Sequence, residues 1–191
     1  MKINGRLILF TLILVALATA CKFFFGPDLA WSGFSPLIAI ALFSGMIMRQ
    51  KKDMSFVLPL LSVFISDAII QLLYEQGKFD YQGFYSGQWK NYLLLLLPAT
   101  LVGLIFKGKN YKNLLLGGII APTVYFLLSN FNVWLSTTEV VYTKDFTGLL
   151  TCYEAGLPFY RNALIATLVF LPVILFSYNY LTRHRAALIV A

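Results

Sequence analysis

Asp67 stands inside an apolar run, Ser55 to Tyr74, in a chain of 191 residues of which 12% are charged. At the centre of a bilayer a carboxylate costs about 3 kcal/mol, whereas each Val, Ile, Leu or Phe returns roughly 0.3–0.6 kcal/mol. The run can therefore insert despite Asp67, and the carboxylate needs a reason. It is either part of a site or a structural group that caps a neighbouring helix or reaches the water interface. Gln71 one turn on and Tyr74 two turns on extend it into a polar stripe on one helix face, pointing into the bundle. A second polar group closes a later apolar run, in Ser129-Asn130-Phe131-Asn132-Val133-Trp134. Asn130 and Asn132 offer donors and acceptors to a polar cavity or to interhelical hydrogen bonds, and Trp134 suits a ligand ring or an interfacial belt.

A third group lies in Gly148 to Asn162 and holds Tyr153, Glu154, Arg161 and Asn162. Gly156 and Pro158 interrupt this stretch, so it is expected to be a re-entrant or lid segment rather than a span. Glu154 and Arg161 either pair with each other, the simpler expectation, or hold a ligand's charge. Tyr81, Phe84, Tyr85 and Trp89 add aromatic surface that could stack on a planar ligand or lie at the headgroups.

The chemistry that is missing narrows the function classes. His184 is the one histidine and lies in the C-terminal tail, and no cysteines or carboxylates sit at metal-ligand spacing. No metal, cofactor or catalytic residue is expected. The segment Gly103 to Lys109 approaches a phosphate-binding loop, but Asn110 stands where Ser or Thr must bind magnesium and no strand precedes it. A metal ion as substrate is disfavoured by the same donor set. Cys21 and Cys152 map to one side and are either a disulfide or two small apolar side chains, the latter being the expectation.

The elements that must position these groups are helices. Apolar residues make up 59% of the chain and its mean hydropathy is +0.77. The apolar runs lack the period-two alternation of a membrane barrel. Six spans are predicted, at about 7–25, 34–48, 55–74, 91–106, 113–134 and 163–181, in one transmembrane domain over 1–191. Pro59, Pro98, Pro122 and Pro172 lie inside spans, where neighbouring helices can satisfy the freed carbonyls. Small residues at four-residue spacing, Ala16 with Ala20 and Ala41 with Gly45, are candidates for close helix packing.

Charge then orients the bundle. Lys2, Arg6, Arg49, Lys51, Lys52, Lys107, Lys109, Lys112, Arg183 and Arg185 fall on one side with the single acid Asp53. Lys22, Lys78, Lys90, Lys144 and Arg161 fall on the other with Asp28, Glu75, Asp80, Glu139, Asp145 and Glu154. The basic side is expected to be cytoplasmic, with both termini inside and the candidate site facing out. The net charge of +7 is then a topology signal and an attraction to anionic lipid, not a nucleic-acid surface. Met1 to Ala20, followed by Cys21, also fits a signal peptide, but a retained first helix is expected.

Phe34-Ser35-Pro36, Ala39 to Gly45, Ser66-Asp67, Ser129 to Trp134, Gly148-Leu149, Cys152-Tyr153, Pro158-Phe159 and Asn162, taken in order, resemble a bacterial membrane family of unknown function described as transport proteins. That family is similar in turn to the substrate-binding S components of energy-coupling factor transporters. The resemblance covers residues 33–180. It implies a protein of the bacterial cytoplasmic membrane that binds a vitamin-like organic micronutrient from outside. It also implies a separate transmembrane coupling subunit and ATPase subunits as partners. Gly33 where Asn is usual, Asn132 where Gly is usual and Thr143 where Pro is common depart from the pattern near the site. The ligand's identity is therefore not carried over. Two further classes stand beside transport: a non-catalytic assembly subunit of a membrane complex, and a lipid-acting enzyme using Asp67 or Glu154 as base.

Overall fold

The computed structural model describes residues 5–47, 52–106 and 110–182. Over these residues the chain is all-helical, an all-α membrane protein: α1 (Gly5–Phe25), α2 (Leu37–Ile47), α3 (Lys52–Glu75), α4 (Gln88–Ile105), α5 (Tyr111–Ser136) and α6 (Phe146–Thr182). A single 3-10 turn, Leu29–Trp31, joins α1 to α2.

Four helices contain stretches long and apolar enough to cross a membrane: Ile8–Phe25, Phe56–Glu75, Tyr111–Ser136 and Phe146–Leu181. Six spans were predicted, and the other two helices differ for separate reasons. With 11 residues, α2 is about 16 Å long, short of a hydrocarbon layer of about 30 Å. The 18 residues of α4 begin with the polar turn Gln88-Trp89-Lys90-Asn91. The outer surface is apolar, as lipid requires: Leu12 in α1, Leu60 in α3, Leu97 in α4 and Val173 in α6 are all exposed.

The shortest helix is the centre of the bundle. All ten residues from Leu37 to Met46 are buried, and α2 packs against α3, α4, α5 and α6. Its crossing with α4 is a backbone contact. A Cβ on Gly45 would come within 2.3 Å of the Thr100 carbonyl oxygen, and one on Gly103 within 2.3 Å of the Leu42 carbonyl oxygen. Ala41 is buried on the same helix. On α1 the packing residue is a different one. Ala16 is exposed and Ala20 half-buried, while Phe10, Leu14 and Ala18 share the inward face at four-residue spacing.

Residues 146–182 form one continuous helix, which corrects the expected break before the last span. At 37 residues α6 is roughly 55 Å long, well beyond the hydrocarbon thickness. Gly156 does not end the helix. It is buried where α6 meets α5, and a Cβ there would come 2.4 Å from Asn130 Oδ1. Close helix packing, not a turn, is the reason for that glycine. Asp145 starts α6 as its cap, accepting the Gly148 amide at 2.8 Å and the Thr143 hydroxyl at 2.7 Å. The Gly148 amide, followed by that hydroxyl, holds the Asp145 carboxyl below the usual carboxylate range. At the end of α3, Gly77 takes the left-handed conformation (φ 67°) and donates to the Tyr74 carbonyl at 2.9 Å. Lys78 donates to the Leu73 carbonyl at 2.9 Å, so the two bonds close a Schellman turn and release the chain toward α4.

Candidate functional site

The last turns of α1 and α5, the C-terminal half of α3 and the first turns of α4 come together at one end of the bundle. Asp67 is its polar centre, 6% exposed. Lys22, in the last turn of α1, forms an ion pair with Asp67 and donates to Ser66 Oγ at 2.7 Å. The Ser66 hydroxyl in turn donates a hydrogen bond to the Val63 carbonyl at 2.7 Å. From α4, Gln88 Nε2 donates to Asp67 Oδ2 at 2.8 Å, and the Tyr92 hydroxyl donates to the same oxygen. Three donors thus converge on one carboxylate, the arrangement a buried anion needs. Lys22 keeps one of its three N–H donors without a protein acceptor among the described residues.

Gln88 also fixes the connection above Asp67. Its amide lies 2.9 Å from the Gly83 carbonyl, and its Oε1 accepts the Tyr85 amide at 3.1 Å. Gln71 accepts the amides of Gly83 at 3.0 Å and Phe84 at 3.1 Å. The fold-back onto α3 is close enough that a Cβ on Gly83 would come 2.0 Å from the Asp67 carbonyl oxygen. Gln71 is therefore a loop anchor. Its place in the Asp67 stripe is real, but the side chain is committed to the α3–α4 connection.

Beneath this network lies a cavity of about 510 Å³, which is within the range of small-molecule sites. Helical stripes build its walls. Gln88, Asn91, Tyr92 and Leu95 line it from α4, at spacings of three, four and seven residues. Tyr125, Ser129 and Asn132 line it from α5 with Phe126, Asn130 and Val133 beside them. Phe159 and Tyr160 close it from α6, Ser32 and Gly33 from the α1–α2 connection, and Leu37 from the first residue of α2. Gly33 takes a positive φ of 88° here, and a Cβ would come 2.9 Å from the Phe159 carbonyl oxygen.

Several wall groups are available to a ligand. The Asn132 side chain and the Tyr125 hydroxyl have no hydrogen-bond partner among the described residues. Tyr160 lies 2.9 Å from Thr123 Oγ1. Because Thr123 gives its one proton to the Ile119 carbonyl, Tyr160 is the donor, and its oxygen retains acceptor capacity. Phe126 and Tyr160 pack with ring centroids 4.8 Å apart, presenting an aromatic wall.

The sequence-predicted residues divide between wall and frame. Asp67, Asn130 and Asn132 line the cavity. Trp134 does not. Its indole donates to the Thr143 carbonyl at 2.9 Å and its ring carries the Lys144 ammonium 5.5 Å from the centroid, which ties the α5–α6 connection together. Tyr153 donates to the Leu127 carbonyl at 3.0 Å, an α5–α6 contact outside the cavity. Asn162 donates to the carbonyls of Ala30 at 2.8 Å and Ser32 at 2.9 Å, which anchors the α1–α2 connection. Glu154 and Arg161 are exposed, away from the cavity, and do not form the expected pair. Seven helical residues separate them by about 10 Å along the axis. Lys22–Asp67 is the one ion pair among the described residues. Cys21 and Cys152 are both free and buried rather than bridged. Of the loop aromatics, Tyr85 lines the cavity, held by Asn91 at 2.6 Å, while Tyr81, Phe84 and Trp89 do not.

Lys22, Gln88, Tyr92, Tyr125 and Tyr160 are the site residues that sequence reasoning missed. The four-residue spacing of Gln88 and Tyr92, and of Tyr125 and Ser129, carried a signal once those residues are placed on helices. The pairing of Lys22 with Asp67, 45 positions apart, carried none.

No group of three or more potential metal ligands occurs among the described residues. In comparison with known families, the one described as a family of unknown function, DUF6580, matches residues 1–188. No curated protein and no solved structure matches the chain.

Proposed function

We propose that this chain, which belongs to the DUF6580 family of unknown function, binds a small planar organic molecule in the Asp67 cavity as the capture step of uptake. The observation that carries this reading is the cavity itself. It has about 510 Å³ of space, aromatic walls, and polar groups at Tyr125 and Asn132 that the protein leaves unused.

In this proposal the protein is multi-pass in the bacterial cytoplasmic membrane, with both termini inside and the cavity toward the outside. The excess of basic residues in the sequence segments assigned to the other side supports that orientation. The capture role rests on the resemblance to S components read in the sequence, which would place the coupling subunit and the ATPases on separate chains. A second reading, an assembly subunit, is favoured by one observation: three protein donors already satisfy Asp67, as in an interhelical brace.

Mass spectrometry of small molecules released by denaturing gently purified protein decides between them. Capture requires a near-stoichiometric planar organic compound. Lipid alone, after growth with excess micronutrients, sinks the capture reading and leaves the brace.

A further inference from the structure

The charges that line the cavity are one ammonium and one carboxylate, and they are paired with each other. Among the residues of its wall, Lys22 and Asp67 are the only ones that carry a formal charge at neutral pH. The remaining polar wall is neutral: phenols at Tyr85, Tyr92, Tyr125 and Tyr160, and amides and hydroxyls on α4, α5 and the α1–α2 connection. The Asp67 carboxylate already accepts from Lys22, Gln88 and Tyr92, so it has no reason to draw a ligand cation. The Lys22 ammonium is compensated, so it offers a ligand one N–H donor without an unbalanced positive charge. A charged ligand would give up hydration on entering the cavity and find no unpaired counter-charge on its wall, which is unfavourable.

We infer that the cavity selects ligands without net charge that carry hydrogen-bonding groups on a planar ring, and rejects their acidic and basic analogues. This rests on the binding reading above and names the chemical class it takes. The unused Asn132 amide and Tyr125 hydroxyl supply both donors and acceptors, which suits an amide or a ring carbonyl. Phe126 and Tyr160 supply the face for the ring. Asp67 thereby sets specificity without binding the ligand directly, because it cancels the charge of Lys22.

The test is affinity selection with mass-spectrometric readout on the full chain in lipid nanodiscs at pH 7. The probes are matched amide, carboxylate and ammonium derivatives of benzene and naphthalene. The native chain is expected to retain the amides at least tenfold over both charged partners. Asp67→Asn leaves Lys22 uncompensated and should shift retention toward the carboxylates by tenfold or more. Ser129→Lys keeps the Asp67 network intact while adding an unpaired cation to the wall, and should shift retention the same way if Asp67→Asn does not fold. Preferential retention of either charged series by the native chain overturns the inference while leaving a binding protein. Unchanged selectivity in the folded variants overturns it equally. Retention of no probe removes the binding reading along with it.

Discussion

The two regions on either side of α2 solve opposite problems. Where α2 crosses α4, Gly45 and Gly103 bring backbone onto backbone, and no side chain fits between. At the cavity end, Leu37 opens α2 while α4 and α5 present phenols and amides across empty space. The tight crossing is a packing device, built from small residues whose absence of side chains is the point. The open end is a chemical device, built from large polar residues, of which Tyr125 and Asn132 keep hydrogen-bonding groups free for a ligand. The difference is one of access. Tyr125 and Asn132 face the cavity, where water or a ligand can pair with them. Thr100 at the crossing, by contrast, has a buried hydroxyl oxygen with no hydrogen-bond partner among the described residues.

The contrast can be broken most severely at the crossing. Gly103→Val puts branched carbons where a Cβ alone would meet the Leu42 carbonyl oxygen at 2.3 Å. A loss of about 3 kcal/mol is expected, at the upper end for overpacking, with thermal unfolding in detergent as the measure. Next comes the frame of the cavity. Lys22→Met strands Asp67 with neutral donors only, and about 3 kcal/mol or somewhat less is expected because the Lys22 side chain is 22% exposed. Equal stability of this variant and the native chain would show the pair to be ornamental. Trp134→Phe removes one hydrogen bond to the Thr143 carbonyl, a cost of about 1 kcal/mol in denaturant unfolding, with ligand release unchanged. Asn132→Ala sharpens the comparison from the other side. The side chain has no partner to lose, so stability should move by less than about 0.5 kcal/mol, while ligand affinity falls roughly tenfold in equilibrium binding.

How far the sequence carried differs between these regions for physical reasons. The presence of six helices, the approximate ends of the first five and the end of the sixth were legible, because each apolar run is bounded by charge or by turn residues. The continuity of α6 was not. Gly156 and Pro158 look like breaks on a chain considered alone; α6 runs through both, and Gly156 is there to let Asn130 approach. Asp67, Asn130 and Asn132 stood out as polar groups in apolar surroundings, and they do line the cavity. Lys22 and Gln88 lie at helix ends, where polar and charged residues are ordinary, and only the bundle's geometry brings them to Asp67. Trp134, Tyr153 and Asn162 are polar for a reason the sequence could not separate from ligand binding: each holds a connection between helices. A hydrogen bond to a distant carbonyl leaves no trace in local spacing.

The most direct test fills the cavity without touching its polar frame. Ala163 is buried at the cavity wall, and Ala163→Phe would occupy the space beside Phe159 and Tyr160. Small molecules released on denaturation would be compared between the native chain and this variant, each confirmed as folded by its thermal transition. The binding account requires a near-stoichiometric organic compound from the native chain and its loss from the filled one. Equal release from both, or lipid alone from both, would contradict it.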